Sequence, residues 1–365
     1  MRFFATILAL LGLSAGGFWL SKAYLGVSRA NSTTAERFVL VAPGDNFTRV
    51  GKKLFEDGLI RDERYFRWYL RLTQSTGALK VGEYALRENM SIAEIVEVLS
   101  SGKSVQHKFT VYEGDNKFQI AAALEAARLG VAKTFLAEVD SPDLIRDLAL
   151  PTVATGVNSV RSLEGYLYPD TYLLTRLMSE REIVRAMVKR FKQGYANIAA
   201  EVQAKALSLP VRLSPHEIVV LASMVEKETG AGKERPLIAS VFYNRLTKGM
   251  RLQSDPTTIY GIWNRDRVFD GNIRRADLRT ETPYNTYTVP RLPAGPIANP
   301  GDSAFQAVLN PASSEFLYFV AKNDGTHVFT TNYRDHQRAV DLLQKNPSVR
   351  EGKSWRNLPA SERAR

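Results

Sequence analysis

The chain of 365 residues contains no cysteine and only four histidines. Without cysteine, the protein has no disulfide bond, no thiolate nucleophile and no zinc site with thiolate ligands. The histidines are scattered, and Val220 stands where an HExxH zinc motif starting at His216 would need its second histidine. The sequence therefore predicts a protein that uses neither a metal ion nor another cofactor.

The chain also lacks a compact run of lysine and arginine. Its 49 basic residues nevertheless exceed its 38 acidic residues, which gives a net charge of +11 at pH 7. Such a charge suits an anionic partner, such as nucleic acid, a lipid surface or an acidic polymer. Because the basic residues are dispersed, no nucleic-acid partner is predicted. A hydrophobic content of 44% is normal for a globular protein and excludes wholesale disorder.

One long stretch without charge lies near the N-terminus. It covers the 18 residues 3–20, between Arg2 and Lys22, and is just long enough to span a bilayer. A cleaved signal peptide is the alternative, but the small-x-small site at 28–30 is weak. We therefore predict an uncleaved signal anchor over residues 1–27, with the body of the protein outside the cytoplasm.

A single helix with marked ends is predicted over residues 214–230. Ser214 and Glu217 form a capping box, Pro215 suits the first helical position, and Gly230 can adopt the left-handed conformation that ends a helix. Residues 218–225 between these ends are almost continuously apolar. A helix that is apolar nearly all round is buried.

Two carboxylates, Glu226 and Glu228, lie near the end of this helix. At about 100° per residue they point to roughly opposite sides, so at most one of them faces a given cleft. The helix dipole and apolar surroundings would raise the pKa of the one that faces inward, as a general acid requires. The alternative interpretation is a pair of solvated glutamates in a last turn.

A short repeat occurs in the first third of the chain. V-x-x-G-D-N at 41–46 recurs as V-x-x-G-D-N at 111–116. Each copy follows a strand-like run and precedes a helical pattern, so it predicts a glycine turn followed by a helix cap. The first strand–turn–helix unit resembles the LysM module, a small glycan-binding βα domain. A docking domain without a glycan site is the alternative.

Several further motifs follow in a fixed order. They are L-E-G-Y-L-Y-P-D-T-Y (163–172), V-E-K-E-T (225–229), S-V-F-x-N-R-L (240–246), G-M-R-L-Q-S-D-P-T (249–257), Y-N-T-Y (284–287), G-x-I-x-N-P-G (295–301) and Y-F-V-A (318–321). Together they resemble the YceG-like family of endolytic murein transglycosylases, and the resemblance covers residues 37–345. The order of Glu226, Gln253 and Tyr284-Asn285 is also similar to that in other lytic transglycosylases.

The resemblance implies an activity and a site. The protein would cleave the β-1,4 bond between N-acetylmuramic acid and N-acetylglucosamine within peptidoglycan strands, leaving 1,6-anhydromuramoyl ends, in cell wall biogenesis and strand termination. Glu226 would be the sole catalytic acid and base. The substrate-binding residues that we predict are Gln253, Asp255, Tyr284, Asn285, Glu164 and Tyr166.

The resemblance also implies partners and a domain organisation within an α+β fold. The expected partners are peptidoglycan strands, the bacterial cytoplasmic membrane through the single-pass N-terminal helix, and peptidoglycan synthases. The catalytic body would be periplasmic. The predicted segments are an anchor (1–27), a linker (28–36), a LysM-like domain (37–112), a mixed α/β catalytic domain containing the buried helix (113–345) and a polar tail (346–365).

Three other classes of protein remain open. A muramidase that hydrolyses the same bond would pair Glu226 with Asp255 or Glu164. A non-enzymatic cell-wall scaffold would use the LysM-like part alone. A serine acyl enzyme is discounted, because Ser100-x-x-Lys103 matches its first motif but no K-T-G follows.

Overall fold

The computed structural model describes residues 35–345, apart from 75–78, 151–159 and the single positions 206, 230, 268 and 323. The predicted anchor, nearly all of the linker and the polar tail lie outside the described residues. In the part that is described, no helix combines the length and the apolar character needed to cross a bilayer. The fold there is α+β, with helices and three two-stranded sheets.

The described chain divides into two compact units. The first contains residues 35–108 and a returning segment, Leu173–Met178, and the second contains 109–172 and 179–345. No local pattern in the returning segment predicted its place in the first unit. Its residues fall within the segment 113–345 that is predicted as the catalytic domain.

The first unit is built on an antiparallel pair of strands. β1 (Glu36–Val41) pairs with β2 (Gly82–Arg87), with Phe38 opposite Ala85. Its helices are α1 (Phe47–Glu56), α2 (Glu63–Leu72) and α3 (Ile92–Ser101). The strands and helices all contribute apolar side chains to one core, among them Val39, Leu54, Phe66, Tyr84 and Ile95.

The repeated glycine turn has the same local structure in both copies. Gly44 and Gly114 adopt left-handed φ angles of +83° and +81°. Asp45 accepts a hydrogen bond from the backbone N–H of residue 42, and Asp115 accepts the equivalent bond from residue 112. The asparagine that follows each aspartate caps a helix, α1 in the first copy and α4 (Lys117–Ala126) in the second. The local repeat is therefore present, while the likeness of the first copy to LysM stays a prediction.

The second unit is mainly helical. After α4 come α5 (Ala132–Val139), α6 (Pro142–Leu148), α7 (Glu180–Lys205), α8 (Pro215–Glu228), a 3₁₀ turn (Gly232–Glu234), α9 (Arg235–Thr247), α10 (Asp255–Asp266), α11 (Arg275–Arg279), α12 (Asp302–Leu309) and α13 (Tyr333–Leu343). The β3 (His107–Thr110) and β4 (Thr171–Leu174) strands form another two-stranded sheet of the described chain. In the second unit, β5 (Tyr318–Ala321) and β6 (His327–Thr330) form an antiparallel hairpin.

Helix α8 is the buried helix that the sequence predicts. The capping box forms, with Ser214 N–H donating to Glu217 at 2.8 Å and Glu217 N–H donating to the Ser214 hydroxyl at 3.2 Å. Every residue from 218 to 226 is buried, against α9, α10 and α12 among others. The helix ends at Glu228, and Thr229 is already extended. Gly230, the predicted terminating residue, lies outside the described residues.

Candidate active site

The two glutamates at the end of α8 have different surroundings. Glu226 is only 8% exposed, and protein donors occupy both of its carboxylate oxygens. Its Oε1 accepts a hydrogen bond from Arg235 Nη2 at 2.5 Å, and its Oε2 accepts one from the backbone N–H of Gly301 at 3.0 Å. Both oxygens are therefore engaged by protein donors in this arrangement.

Glu226 belongs to a cluster of charged side chains that also contains Arg235 and Glu113. Arg235 Nη2 also lies 3.9 Å from Glu113 Oε2. Burial, reinforced by the nearby charge of Glu226, raises the pKa of Glu113. A side chain at Gly301 would place its Cβ 1.8 Å from Glu113 Oε1, so glycine leaves the room that this carboxylate occupies. The cluster ties the end of α8 to the starts of α9 and α12.

Glu228 lies in a different environment, at a pocket. It is half-buried, and its Oε1 accepts a hydrogen bond from the Ser254 hydroxyl. Burial, reinforced by the nearby charge of Asp255, raises the pKa of Glu228 to about 7. A carboxyl that is partly protonated near neutral pH and reachable from a pocket can donate a proton to a bound molecule.

The pocket collects residues from six separate segments of the second unit. Its lining residues are Glu228, Arg245, Leu252, Gln253, Asp255, Tyr287, Tyr318, Phe319, Tyr333 and His336. Of the predicted site residues it contains Gln253 and Asp255. Among the described residues, no group of histidine, aspartate and glutamate side chains is arranged to hold a metal ion.

Gln253 enters the pocket from a strained backbone. Its φ of +49° is uncommon for any residue other than glycine and costs free energy that the surrounding structure must compensate. Thr286 supplies two of the contacts that hold it. The Gln253 N–H donates to the Thr286 carbonyl at 3.2 Å, and the Ser254 N–H donates to the Thr286 hydroxyl at 2.9 Å. These bonds hold the backbone that carries the exposed Gln253 side chain into the pocket of Glu228.

Asp255, one of the predicted substrate-binding residues, begins a helix. It is the first residue of α10, and Pro256 occupies a first-turn position where proline needs no hydrogen-bond donor. Its Oδ1 accepts a hydrogen bond from the Tyr287 hydroxyl at 2.7 Å. Asp255 therefore lies in the pocket with a fixed orientation.

The structure does not bring Tyr284 and Asn285 to the pocket lining. Asn285 is fully buried. Its Oδ1 accepts bonds from Thr258 Oγ1 and Tyr287 N–H, and its Nδ2 donates to three backbone carbonyls between 277 and 280. The ring of Tyr284 packs against Tyr260, with centroids 4.8 Å apart. In these positions both residues hold the loop that presents Tyr287.

Glu164 and Tyr166 also lie away from the pocket lining, and both are buried. Glu164 accepts hydrogen bonds from Lys117 N–H at 2.9 Å and from Asn299 Nδ2 at 3.0 Å. Burial raises the pKa of Glu164 to about 7. The Tyr166 hydroxyl is 2.7 Å from His216 Nδ1. These contacts link the 163–172 segment to the core around α8.

Apart from Glu228, Gln253 and Asp255, the residues that line the pocket were not predicted from the sequence. Arg245 had a readable signal, because it is a charged residue in a helix whose neighbours show core spacing. Its Nε donates to the Leu317 carbonyl at 2.6 Å and its Nη1 to the Leu252 carbonyl at 2.7 Å. No local signal marked the remaining rings as lining residues, although three of them lie in motifs that carry the family resemblance: Tyr287, Tyr318 and Phe319. The other two are Tyr333 and His336.

Comparison with known proteins gives a consistent result. The YceG-like family matches this chain over residues 39–342. A protein of Bacillus subtilis (strain 168) named endolytic murein transglycosylase is 32% identical over 335 residues, covering 89% of each chain. A protein of the same name from Streptococcus pneumoniae serotype 2 (strain D39 / NCTC 7466) is 29% identical, covering 92% of this chain and 64% of that protein.

A solved structure is similar as well. The crystal structure of a yceG-like protein from Listeria monocytogenes matches with a TM-score of 0.57 and 32% sequence identity, over 84% of this chain and all of that one. The family match spans most of the sequence, and it includes the buried helix, the pocket segments and the hairpin. This chain therefore belongs to the YceG-like family.

Proposed function

We propose that the protein is an endolytic lytic transglycosylase of peptidoglycan and that Glu228 is its catalytic acid and base. The observation that carries the proposal is the half-buried carboxyl of Glu228 at a polar and aromatic pocket, with its pKa raised to about 7. The reaction class is that named for the relatives from Bacillus subtilis and Streptococcus pneumoniae.

In the first step, protonated Glu228 donates its proton to the oxygen that bridges N-acetylmuramic acid and N-acetylglucosamine. The bond from the muramic anomeric carbon to that oxygen breaks, and the sugar with the new hydroxyl leaves. Positive charge develops on the muramic ring. The carboxylate of Glu228, now ionised, and that of Asp255 in the same pocket stabilise this charge electrostatically.

In the second step, ionised Glu228 accepts the proton of the muramic 6-hydroxyl while that oxygen bonds to the anomeric carbon. The 1,6-anhydro ring closes and Glu228 returns to its protonated form. The 6-hydroxyl is tethered to the reacting ring, so its effective concentration is far higher than that of a nucleophile in free solution. A single carboxyl group therefore suffices for both steps.

The assignment of Glu226 as sole acid, which the family resemblance implies, stays a prediction and competes with this proposal. Two observations favour Glu228. Both oxygens of Glu226 accept hydrogen bonds from the protein, whereas Glu228 lines the pocket. Gln253 and Asp255, the two predicted substrate contacts in the pocket, also lie beside Glu228.

The products test the reaction. Digestion of intact glycan strands in the presence of a chelator is expected to give 1,6-anhydromuramoyl ends and a rapid fall in strand length. The reason is that the tethered hydroxyl outcompetes water and cutting is internal. Mass spectrometry of the fragments measures the ends, and size separation measures the strands.

Other products would support the other classes. Mostly reducing muramic ends would mean hydrolysis with a second carboxylate, and Asp255 would be the first to test because it shares the pocket. Disaccharides released from strands that stay long would mean exolytic cutting. Binding without any turnover would support a scaffold.

We further propose that residues 1–27 anchor the protein in the bacterial cytoplasmic membrane, with the catalytic unit in the periplasm and peptidoglycan synthases as partners. The uncharged run at 3–20 supports the anchor. A peptidoglycan substrate supports the periplasmic location of the catalytic unit. On fractionation, the protein is expected to stay with membranes after high-salt and carbonate washing, and protease should degrade its body only from the periplasmic side. A soluble mature form starting near residue 31 would contradict the anchor.

A further inference from the structure

Part of the pocket lining is an aromatic wall, formed by Tyr318, Tyr333 and His336. The rings of Tyr318 and His336 stack, with centroids 5.1 Å apart and planes 23° apart. The Tyr333 ring lies 5.9 Å from Tyr318, tilted by 56°. The three rings thus form one continuous surface at the pocket that contains Glu228.

Core packing does not account for the exposed part of this wall. None of the residues of α13, which carries Tyr333 and His336, is buried. Tyr333 itself is 59% exposed. A large ring that the fold leaves in solvent beside a pocket is accessible to a ligand that enters the pocket.

The wall is nevertheless held in place. The side chain of Asn332 caps α13 by accepting a hydrogen bond from Asp335 N–H at 3.0 Å, which fixes the first turn. The Tyr333 hydroxyl accepts a bond from Gln337 Nε2 at 2.8 Å. Arg245 lies 5.1 Å from the Tyr318 ring centroid and is bonded to the Leu317 carbonyl. Rings that are fixed before binding lose little entropy when a ligand stacks on them.

The wall presents no charge of its own to a ligand at neutral pH. Tyr318 and Tyr333 are uncharged rings, and burial lowers the pKa of His336, with the charge of Arg245 acting in the same direction. Aromatic faces carry partial negative charge, so they attract the weakly positive C–H groups on one face of a pyranose ring. An extended uncharged ring surface therefore fits a sugar better than it fits an anionic group.

We propose that the aromatic wall is a saccharide subsite, on which one pyranose ring of the glycan strand stacks next to the sugar that Glu228 protonates. The inference rests on the proposed function for the identity of the glycan. It assigns to Tyr333 a binding role at the outer edge of the pocket, and to Tyr318 and His336 the role of supporting its orientation.

A subsite of this kind contributes to binding of the ground state and the transition state alike. Loss of its contacts should therefore raise KM and leave kcat nearly unchanged. Tyr333→Ala is expected to raise KM for glycan strands about tenfold, which corresponds to a stacking contribution of about 1.4 kcal/mol. Tyr333→Phe keeps the ring and should behave like the wild type.

Leu342→Ala is the matched control. Leu342 lies on the same helix, is 61% exposed and does not line the pocket. Each variant is made in the full-length protein in detergent, and its kinetics on glycan strands are measured. Affinity for the same strands is measured separately in a Glu228→Gln background, where cleavage is not needed for the readout. Leu342→Ala should match its parent in both measurements.

The outcomes separate the subsite from the reaction. If the wild type is active and Tyr333→Ala changes neither KM nor the affinity for glycan strands, the subsite is overturned. So would a Tyr333→Phe variant as weak as the alanine variant, because stacking would then not be the cause. Weakened glycan binding after Tyr333→Ala, together with no anhydro products from the wild type, would keep the subsite and overturn the proposed reaction.

Discussion

Replacing Glu228 by glutamine is expected to reduce cleavage of glycan strands by roughly a thousandfold while leaving the protein folded. The amide has nearly the same shape, but it can neither donate the proton that releases the leaving sugar nor accept the proton of the 6-hydroxyl. Ser254 can still donate its hydrogen bond to the amide oxygen, so the local contacts survive. The measurement is the initial rate of anhydro-end formation from purified sacculi, with circular dichroism as the test of folding.

Glu226→Gln is the matched control, two residues earlier on the same helix. It removes the charge that partners Arg235, and that partner is itself largely buried, with 12% of its side chain exposed. Breaking one side of a buried ion pair destabilises a protein by ~3 kcal/mol. We therefore expect a lower melting temperature, with most of the activity retained by the molecules that stay folded.

The reverse pattern would restore the assignment implied by the family resemblance. That pattern is an inactive Glu226→Gln protein with an unchanged melting temperature, together with a Glu228→Gln protein that still digests glycan. It would mean that the bonds from Arg235 and Gly301 open during catalysis. Equal loss of activity from both substitutions in folded proteins would exclude a simple choice between the two.

The sequence could predict helix α8 but could not select between its two glutamates. The capping box and the apolar run are local features, so the helix, its start and its burial could be derived from neighbouring residues. The surroundings of Glu226 depend on Arg235 and Gly301, and those of Glu228 depend on segments as distant as His336. Contacts between segments so far apart along the chain leave no periodic pattern.

Only some of the predicted substrate contacts lie in the pocket, again because contacts between distant segments decide where each side chain points. Gln253 and Asp255 lie in the pocket. The side-chain amide of Asn285 instead makes its hydrogen bonds with other groups of the protein. A polar residue in a motif has the same appearance in a sequence whether it faces a ligand or closes a loop. The repeated glycine turn was easier to predict, because a left-handed glycine and an asparagine cap are determined within a few residues.

The second large effect concerns pH. If Glu228 must be protonated to begin the reaction, kcat/KM should be constant below pH 7 and fall about tenfold for each pH unit above it. The reason is that the pKa of Glu228 is raised to about 7, chiefly by burial. A profile of kcat/KM on soluble glycan strands between pH 5 and 9 measures this decline, the alkaline limb of the profile, directly.

Because the pKa of Glu228 is raised on folding, the folding stability of the protein should fall as pH rises towards 7. In the unfolded chain this carboxyl has its ordinary pKa of 4.5, so between pH 4.5 and 7 the folded state binds the extra proton. Its contribution to stability is full below pH 4.5 and is lost as pH rises to about 7. Because the residue is partly accessible, the loss should be ~2 kcal/mol. Glu228→Gln lacks this titration, so its melting temperature relative to the wild type should rise between pH 5 and pH 8.

Two neighbouring substitutions should move the limb of the activity profile in opposite directions. The hydrogen bond from Ser254 lowers the pKa of Glu228, so Ser254→Ala should shift the limb to higher pH. The charge of Asp255 raises that pKa, so Asp255→Asn should shift the limb to lower pH. Both variants keep Glu228 and can therefore be assayed for turnover. A limb that neither substitution moves, in proteins that remain active, would mean that the titrating group is not Glu228, and the acid would have to be sought outside this pocket.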